Sequence, residues 1–116
     1  MTLKLTVHRA TDQIGGNCIE LAVATGERII LDIGRPLDAP KHATGLLPRS
    51  LDLEAPVAGV LISHPHQDHY GLLDEIPGHW PVYSGKSAGA LMALTAGIFG
   101  VVPDRDYRHW QGAKPI

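Results

Sequence analysis

The 116 residues carry ten Lys and Arg against twelve Asp and Glu, a formal net charge of −2, and 44% are hydrophobic. That is one domain at most, with enough apolar content for a core, which excludes general disorder. So small a charge excludes a tight, purely electrostatic nucleic-acid or membrane binder.

The first sixteen residues hold no long apolar run, so no signal peptide is read. Leu3 to Val7 alternates apolar and polar residues, the period of a half-buried strand. Ile14-Gly15-Gly16-Asn17 is a turn signal, and Cys18 to Ala24 reads as a second strand. Cys18 is the single cysteine. It rules out an internal disulfide, suits a reducing, cytoplasmic setting, and is expected in the core rather than as a nucleophile. Thr25-Gly26-Glu27 predicts a hairpin turn, and Arg28 to Ile33 a third strand ended by Gly34. The opening is therefore an antiparallel meander.

Residues 35–56 carry four prolines and little periodicity, a long loop with a helical turn expected near Ser50–Glu54. Val57 to Ser63 is a continuous apolar run, as in a strand covered on both faces. Tyr70 to Ile76 predicts a short helix stopped by Pro77, and 81–83 a short strand. A helix follows over about 86–97, with Leu91, Leu94 and Ile98 on its apolar face and Ser84 or Ser87 as cap. The longest apolar stretch, 88–102, is shorter than the about 20 residues a bilayer span needs, so no membrane partner is expected. Strands first, then strand–helix alternation, predict an α/β (α+β layered) fold with a mixed sheet and helices on one face.

Seven histidines are the unusual count. Three stand in His64-Pro65-His66-Gln67-Asp68-His69, directly after the buried strand. In a chain of this composition such a pattern arises by chance roughly two times in a thousand. Imidazole nitrogens and carboxylate oxygens are the donors zinc takes. Residues two apart on an extended segment point the same way, so His64 and His66 suit one ion. A turn after His66 would let Asp68 and His69 face a second, about 3.5–4 Å away, with a bridging hydroxide between them. One or two zinc ions are therefore the expected cofactor, with another divalent metal as the alternative. A His-rich surface turn is the bland reading.

These residues resemble the metallo-β-lactamase superfamily. The likeness rests on Ile29-Ile30-Leu31-Asp32-Ile33-Gly34, a strand ending in Asp-x-Gly, and on Leu61-Ile62-Ser63-His64-Pro65-His66-Gln67-Asp68-His69-Tyr70-Gly71. Ile14 to Cys18 and Pro81-Val82-Tyr83-Ser84-Gly85 are similar to the branch that holds ribonuclease J and related RNA-processing nucleases. The resemblance implies a metal-dependent hydrolase with His64 and His66 on the first metal, and Asp68 and His69 on the second. Asp68 would also be catalytic by orienting the attacking hydroxide, and Asp32 would stand in the second shell. It implies half of an αββα sandwich. Family domains are roughly twice this long, and three further ligands, a His, a bridging Asp and a final His, lie in their second half. Residues 1–116 are thus expected to be an N-terminal, incomplete half.

Other candidates read more plainly. Ser84-Gly85-Lys86-Ser87 lacks the upstream glycine of a phosphate loop, where Trp80 stands. His42, His79 and His109 are expected in loops or on the surface, and Trp80 and Trp110 in packing. Arg105, Arg108 and Lys114 beside Trp110 suit a solvated tail more than a phosphate contact. Two functions follow: a hydrolase of a small molecule or RNA, weak as this chain alone, or a non-catalytic metal-binding or interaction module. In either, an uncovered sheet face predicts a missing C-terminal half or a homodimer as partner.

Overall fold

Leu3, Leu5 and Val7 alternate with Lys4, Thr6 and His8, and the segment extends as β1 (Leu3–Arg9). The computed structural model describes residues 2–9, 15–40, 42–99 and 107–110. β1 pairs antiparallel with β2 (Cys18–Val23), and β2 with β3 (Arg28–Leu31). The β2–β3 turn needs Gly26, whose φ is +102°. The register shifts between Val7 and Arg9, a bulge at the sheet edge.

From β3 onward the strands run parallel. β4 (Gly59–Leu61), β5 (Val82–Gly85) and β6 (Tyr107–Trp110) follow in order, so the six-stranded mixed sheet reads β1 to β6 across. Between β4 and β5 lie α1 (Gln67–Tyr70) and a 3₁₀ turn (Leu73–Glu75). Between β5 and β6 lies α2 (Lys86–Phe99). Among the described residues no helix is long and apolar enough to cross a membrane.

Strand alternation sorts the sheet into two unlike faces. One carries Ile30, Val60 and Val82, each 0–1% exposed, and packs with Leu51, Val57, Leu72, Ile76, Trp80 and Met92. The long loop and α2 cover this side. The loop is held there by buried Arg28, which donates to the carbonyls of Asp52, Ala55 (2.8 Å) and Pro56 (3.2 Å). Arg28 also pairs with Glu20 at 3.3 Å and lies over the Trp80 ring. Glu20 accepts from His8 Nε2 at 2.9 Å, and His8 Nδ1 meets Ser50 Oγ at 2.7 Å.

Several expected boundaries move for local reasons. The strand expected over 28–33 stops at Leu31 because Asp32 turns left-handed, at φ +63°. The strand expected over 57–63 is paired only at Gly59–Leu61. Ser50–Glu54 forms turns rather than a helical turn, with Asp52 Oδ1 accepting from the Glu54 and Ala55 N–H groups. Those two bonds hold the Asp52 carboxyl below the usual carboxylate range. The helix expected over 70–76 instead starts at Gln67 and breaks at Gly71, so Asp68 and His69 are helical. In α2 the expected apolar face is reversed: Leu91 and Leu94 are exposed, and Met92 reaches the core. β6 was not expected. The Ile14 turn residue, Arg105 and Lys114 lie outside the described residues, as does the Ile98 side chain.

Candidate metal centre

The site begins where two parallel strands end side by side. Asp32 follows β3, and Ser63 lies two residues beyond β4. Asp32 is the only non-glycine residue with positive φ among the described residues. Asp tolerates that region better than most side chains, and the turn swings its carboxylate across to Ser63. Oδ1 accepts from the Ser63 N–H at 2.7 Å. Oδ2 accepts from Ser63 Oγ at 2.6 Å and from His69 Nδ1 at 2.8 Å. Asp32 is buried, so these donors answer the cost of dehydrating its charge.

Backbone bonds fix the motif loop against the same turn. Ile33 N–H donates to His69 O at 2.9 Å, and Leu72 N–H returns to Ile33 O at 3.0 Å. Arg35 N–H reaches Gln67 O, and Asn17 N–H reaches Asp68 O. Gly34 is the point of closest approach: a Cβ there would stand 1.7 Å from Asp68 O and 2.8 Å from Asn17 N. Only glycine permits the loop to lie so near, which gives Asp-x-Gly its physical reason.

All four motif side chains gather at this end of the sheet. His69 Nδ1 is engaged by Asp32, so the ring proton sits there and Nε2 keeps its lone pair. That Nε2 lies 3.4 Å from Asp68 Oδ2. Two donors each about 2.1 Å from one tetrahedral ion stand about 3.4 Å apart, so this pair fits one divalent ion. His64 Nδ1 meets Ser63 Oγ at 3.0 Å, which leaves its Nε2 free in the same way. The His64 and His69 rings are 4.7 Å apart between centroids. His64 and His66 stack nearly parallel but at 6.5 Å. Two imidazoles on one ion need ring centroids about 5 Å apart, so this pair is open by more than an ångström. Among the described residues no group of three or more His, Cys, Asp or Glu side chains is arranged to hold a metal ion. The donor set fits a metal at Asp68 and His69 and is spread at His64 and His66.

Sequence reasoning missed Ser63. Its hydroxyl joins Asp32, His64 and His69, and its signal was its place between the apolar strand and the first motif histidine. His42 and His79 are on the surface. His109 is exposed too, with its ring against the first turns of α2 at Gly89. Trp80 is packed at 1% exposure. Cys18 is equally buried, and that burial pushes its thiol up to about 12.

Comparison with solved structures finds the same fold elsewhere. A crystal structure of a protein of unknown function from Enterococcus faecalis V583 superposes with a TM-score of 0.67 at 21% identity, over 81% of this chain. The human short-form tRNase Z superposes with a TM-score of 0.53 at 17% identity, over 93% of this chain. This chain spans 28% of the first protein and 45% of the second. No curated protein matches the sequence. The model of the metallo-beta-lactamase superfamily matches residues 11–115, which carry the Asp-x-Gly turn and the whole histidine motif. The chain therefore belongs to the metallo-beta-lactamase superfamily, whose members are typically divalent-metal-dependent.

Proposed function

We propose that this chain supplies the metal-holding N-terminal half of a zinc-dependent hydrolase. The observation that carries the reading is the chain of contacts from Asp32 through His69 to Asp68. Asp32 accepts a hydrogen bond from His69 Nδ1 and fixes the ring, while Nε2 and Asp68 Oδ2 stand one ligand edge apart. Asp68 and His69 would hold one ion, and His64 and His66 the other. A bound divalent ion supplies Lewis acidity and a hydroxide nucleophile near neutral pH. The protein's own part is to orient the imidazoles through Asp32 and Ser63, and to place the Asp68 carboxylate where it can direct the attacking hydroxide.

The substrate class we propose is a phosphodiester in RNA. The support is the resemblance of the 14–18 and 81–85 segments to the ribonuclease J branch, together with the fold shared with human tRNase Z. A cytoplasmic location fits both the single buried cysteine and that substrate.

A second reading is favoured by one observation. Among the described residues no three donors are arranged to hold an ion. On that reading the chain is a metal-binding or interaction module without turnover of its own. Calorimetric titration of zinc and manganese into the 116-residue chain, followed by an RNA-cleavage assay with and without chelator, tests the two. Metal binding with weak, chelator-sensitive cleavage supports the hydrolase half, and metal binding with no cleavage at all supports the module. No metal binding by the native chain overturns the hydrolase and the metal-binding form of the module, and leaves the interaction module.

A further inference from the structure

We propose that Ser63 relays the Asp32 carboxylate to His64, so that one buried carboxylate fixes which ring nitrogen of both His64 and His69 faces a metal. The inference rests on the reading of His64 as a ligand. Ser63 has one hydroxyl proton, and its shortest contact takes it. Oγ lies 2.6 Å from Asp32 Oδ2, the length of a hydroxyl donating to a carboxylate. With that proton committed, Oγ has only lone pairs to offer. His64 Nδ1 at 3.0 Å must then be the donor, and its Nε2 carries the lone pair. His69 Nδ1 lies 3.3 Å from the same Oγ but 2.8 Å from Asp32 Oδ2, so it answers to the carboxylate directly. The Ser63 N–H holds the other carboxylate oxygen at 2.7 Å and stops it from turning.

The relay has a fixed end, because Asp32 is buried whereas Ser63 and His64 face solvent. In water a neutral imidazole keeps its proton mainly on Nε2, which here is the nitrogen needed for the ion. The default tautomer of His64 is therefore the wrong one for a ligand whose Nδ1 is turned to Ser63. No such partner holds the His66 ring among the described residues, so His66 keeps the default. The logic reverses when the charge is removed. In Asp32→Asn the side-chain oxygen stays on the Ser63 N–H, so the amide NH2 faces Ser63 Oγ and His69 Nδ1. Both must then accept. Ser63 turns its proton to His64 Nδ1, and both rings move their proton to Nε2. Ser63→Ala removes only the second link, so only His64 changes. Asp32 thereby controls the tautomer of His64 through one hydroxyl.

The test is two-bond proton–nitrogen correlation spectroscopy of the metal-free 116-residue chain with nitrogen-labelled histidine. It is run at pH 8.5, above the about 6.5 at which a free imidazole titrates, with circular dichroism reporting the fold. The expected wild-type result is Nδ1–H on His64 and His69, and mainly Nε2–H on His66. Ser63→Ala should move His64 alone to Nε2–H, Ser63→Thr should leave it on Nδ1–H, and Asp32→Asn should move both rings. Wild-type His64 on Nε2–H overturns the proposal, as does His64 on Nδ1–H in a folded Ser63→Ala or Asp32→Asn. If Ser63→Ala fails to fold, Ser63→Cys, whose sulfur is a weak acceptor, is read in its place by the same rule. These spectra need no metal, so a chain that binds no zinc ends the ligand reading of His64 while the relay is still read. Where zinc binds, Ser63→Ala should weaken it about 10–100-fold and Ser63→Thr by less than about 3-fold. Equal affinities in wild type and Ser63→Ala overturn the inference.

Discussion

Asp32 Oδ2 lies 2.8 Å from His69 Nδ1 across 37 residues of chain, and the same oxygen accepts from Ser63 Oγ. One carboxylate thus sets the orientation of a motif histidine and of the hydroxyl beside His64.

Asp32→Asn keeps the size of the side chain and tolerates the left-handed backbone, since Asn enters that region as readily as Asp. It removes the charge and leaves one amide group facing donors. On the proposed metal role, zinc affinity should fall about 10–100-fold, with little change in circular dichroism. Titration calorimetry of the two chains reads it. Equal affinities would separate Asp32 from metal binding.

Gly34→Ala should be far more damaging than its size suggests. The new Cβ would stand 1.7 Å from Asp68 O, and both neighbours are backbone, which moves only if the motif loop moves. A loss of more than about 3 kcal/mol is expected from overpacking and lost loop contacts. Urea unfolding measures it, and a change under about 1 kcal/mol would show that the loop yields.

Arg28→Ala removes the clamp between the sheet and residues 52–56. It leaves Glu20 with the His8 ring alone and strips donors from the carbonyls of Asp52, Ala55 and Pro56. Breaking a buried pair costs about 3–5 kcal/mol. Arg28→Lys should recover only part of this, because an ammonium cannot span the same fork of acceptors. Thermal unfolding of the two variants orders them.

Cys18 should be inert in the native chain. Burial is the main cause of its rise from 9.0 to about 12, opposed by the Arg9 guanidinium and assisted by Glu20 and Asp32. At pH 8 a thiol reagent should react about 1,000-fold more slowly with folded than with unfolded chain. The sign of the pH effect follows. The folded state holds the proton to higher pH than the unfolded state. This contribution to stability is therefore whole below pH 9 and is lost as pH rises towards 12. Urea midpoints at pH 8 and pH 10 should fall in that order.

Much of the site was legible because its signals are local. The histidine motif, the Asp-x-Gly turn and the Gly26 hairpin each depend on a few adjacent residues. The meander and the buried strand before His64 were legible from periodicity. The start of α1 was not, because Pro65 and the histidines mask a helix that the bond from Gly71 N–H to Gln67 O closes. The exposure of Leu91 and Leu94 was not legible either, since apolar spacing says which residues share a face but not which way the face turns. β6 pairs with β5 beyond α2, in a segment too short and too polar to read as a strand. The role of Ser63 required knowing that residues 31 positions apart meet.

The parallel pairing of β3 with β4 also governs when the site can exist during folding. Ile29 meets Gly59 only after some thirty residues have looped back, whereas the β1–β2–β3 meander needs only short turns. Loop-closure entropy delays such non-local contacts. Asp32 cannot reach Ser63 or His69 until that crossover has closed. The hairpins should therefore form early, and the histidines should converge in the last cooperative step. Metal capture, if it follows that step, would act as a kinetic lock on the finished sheet.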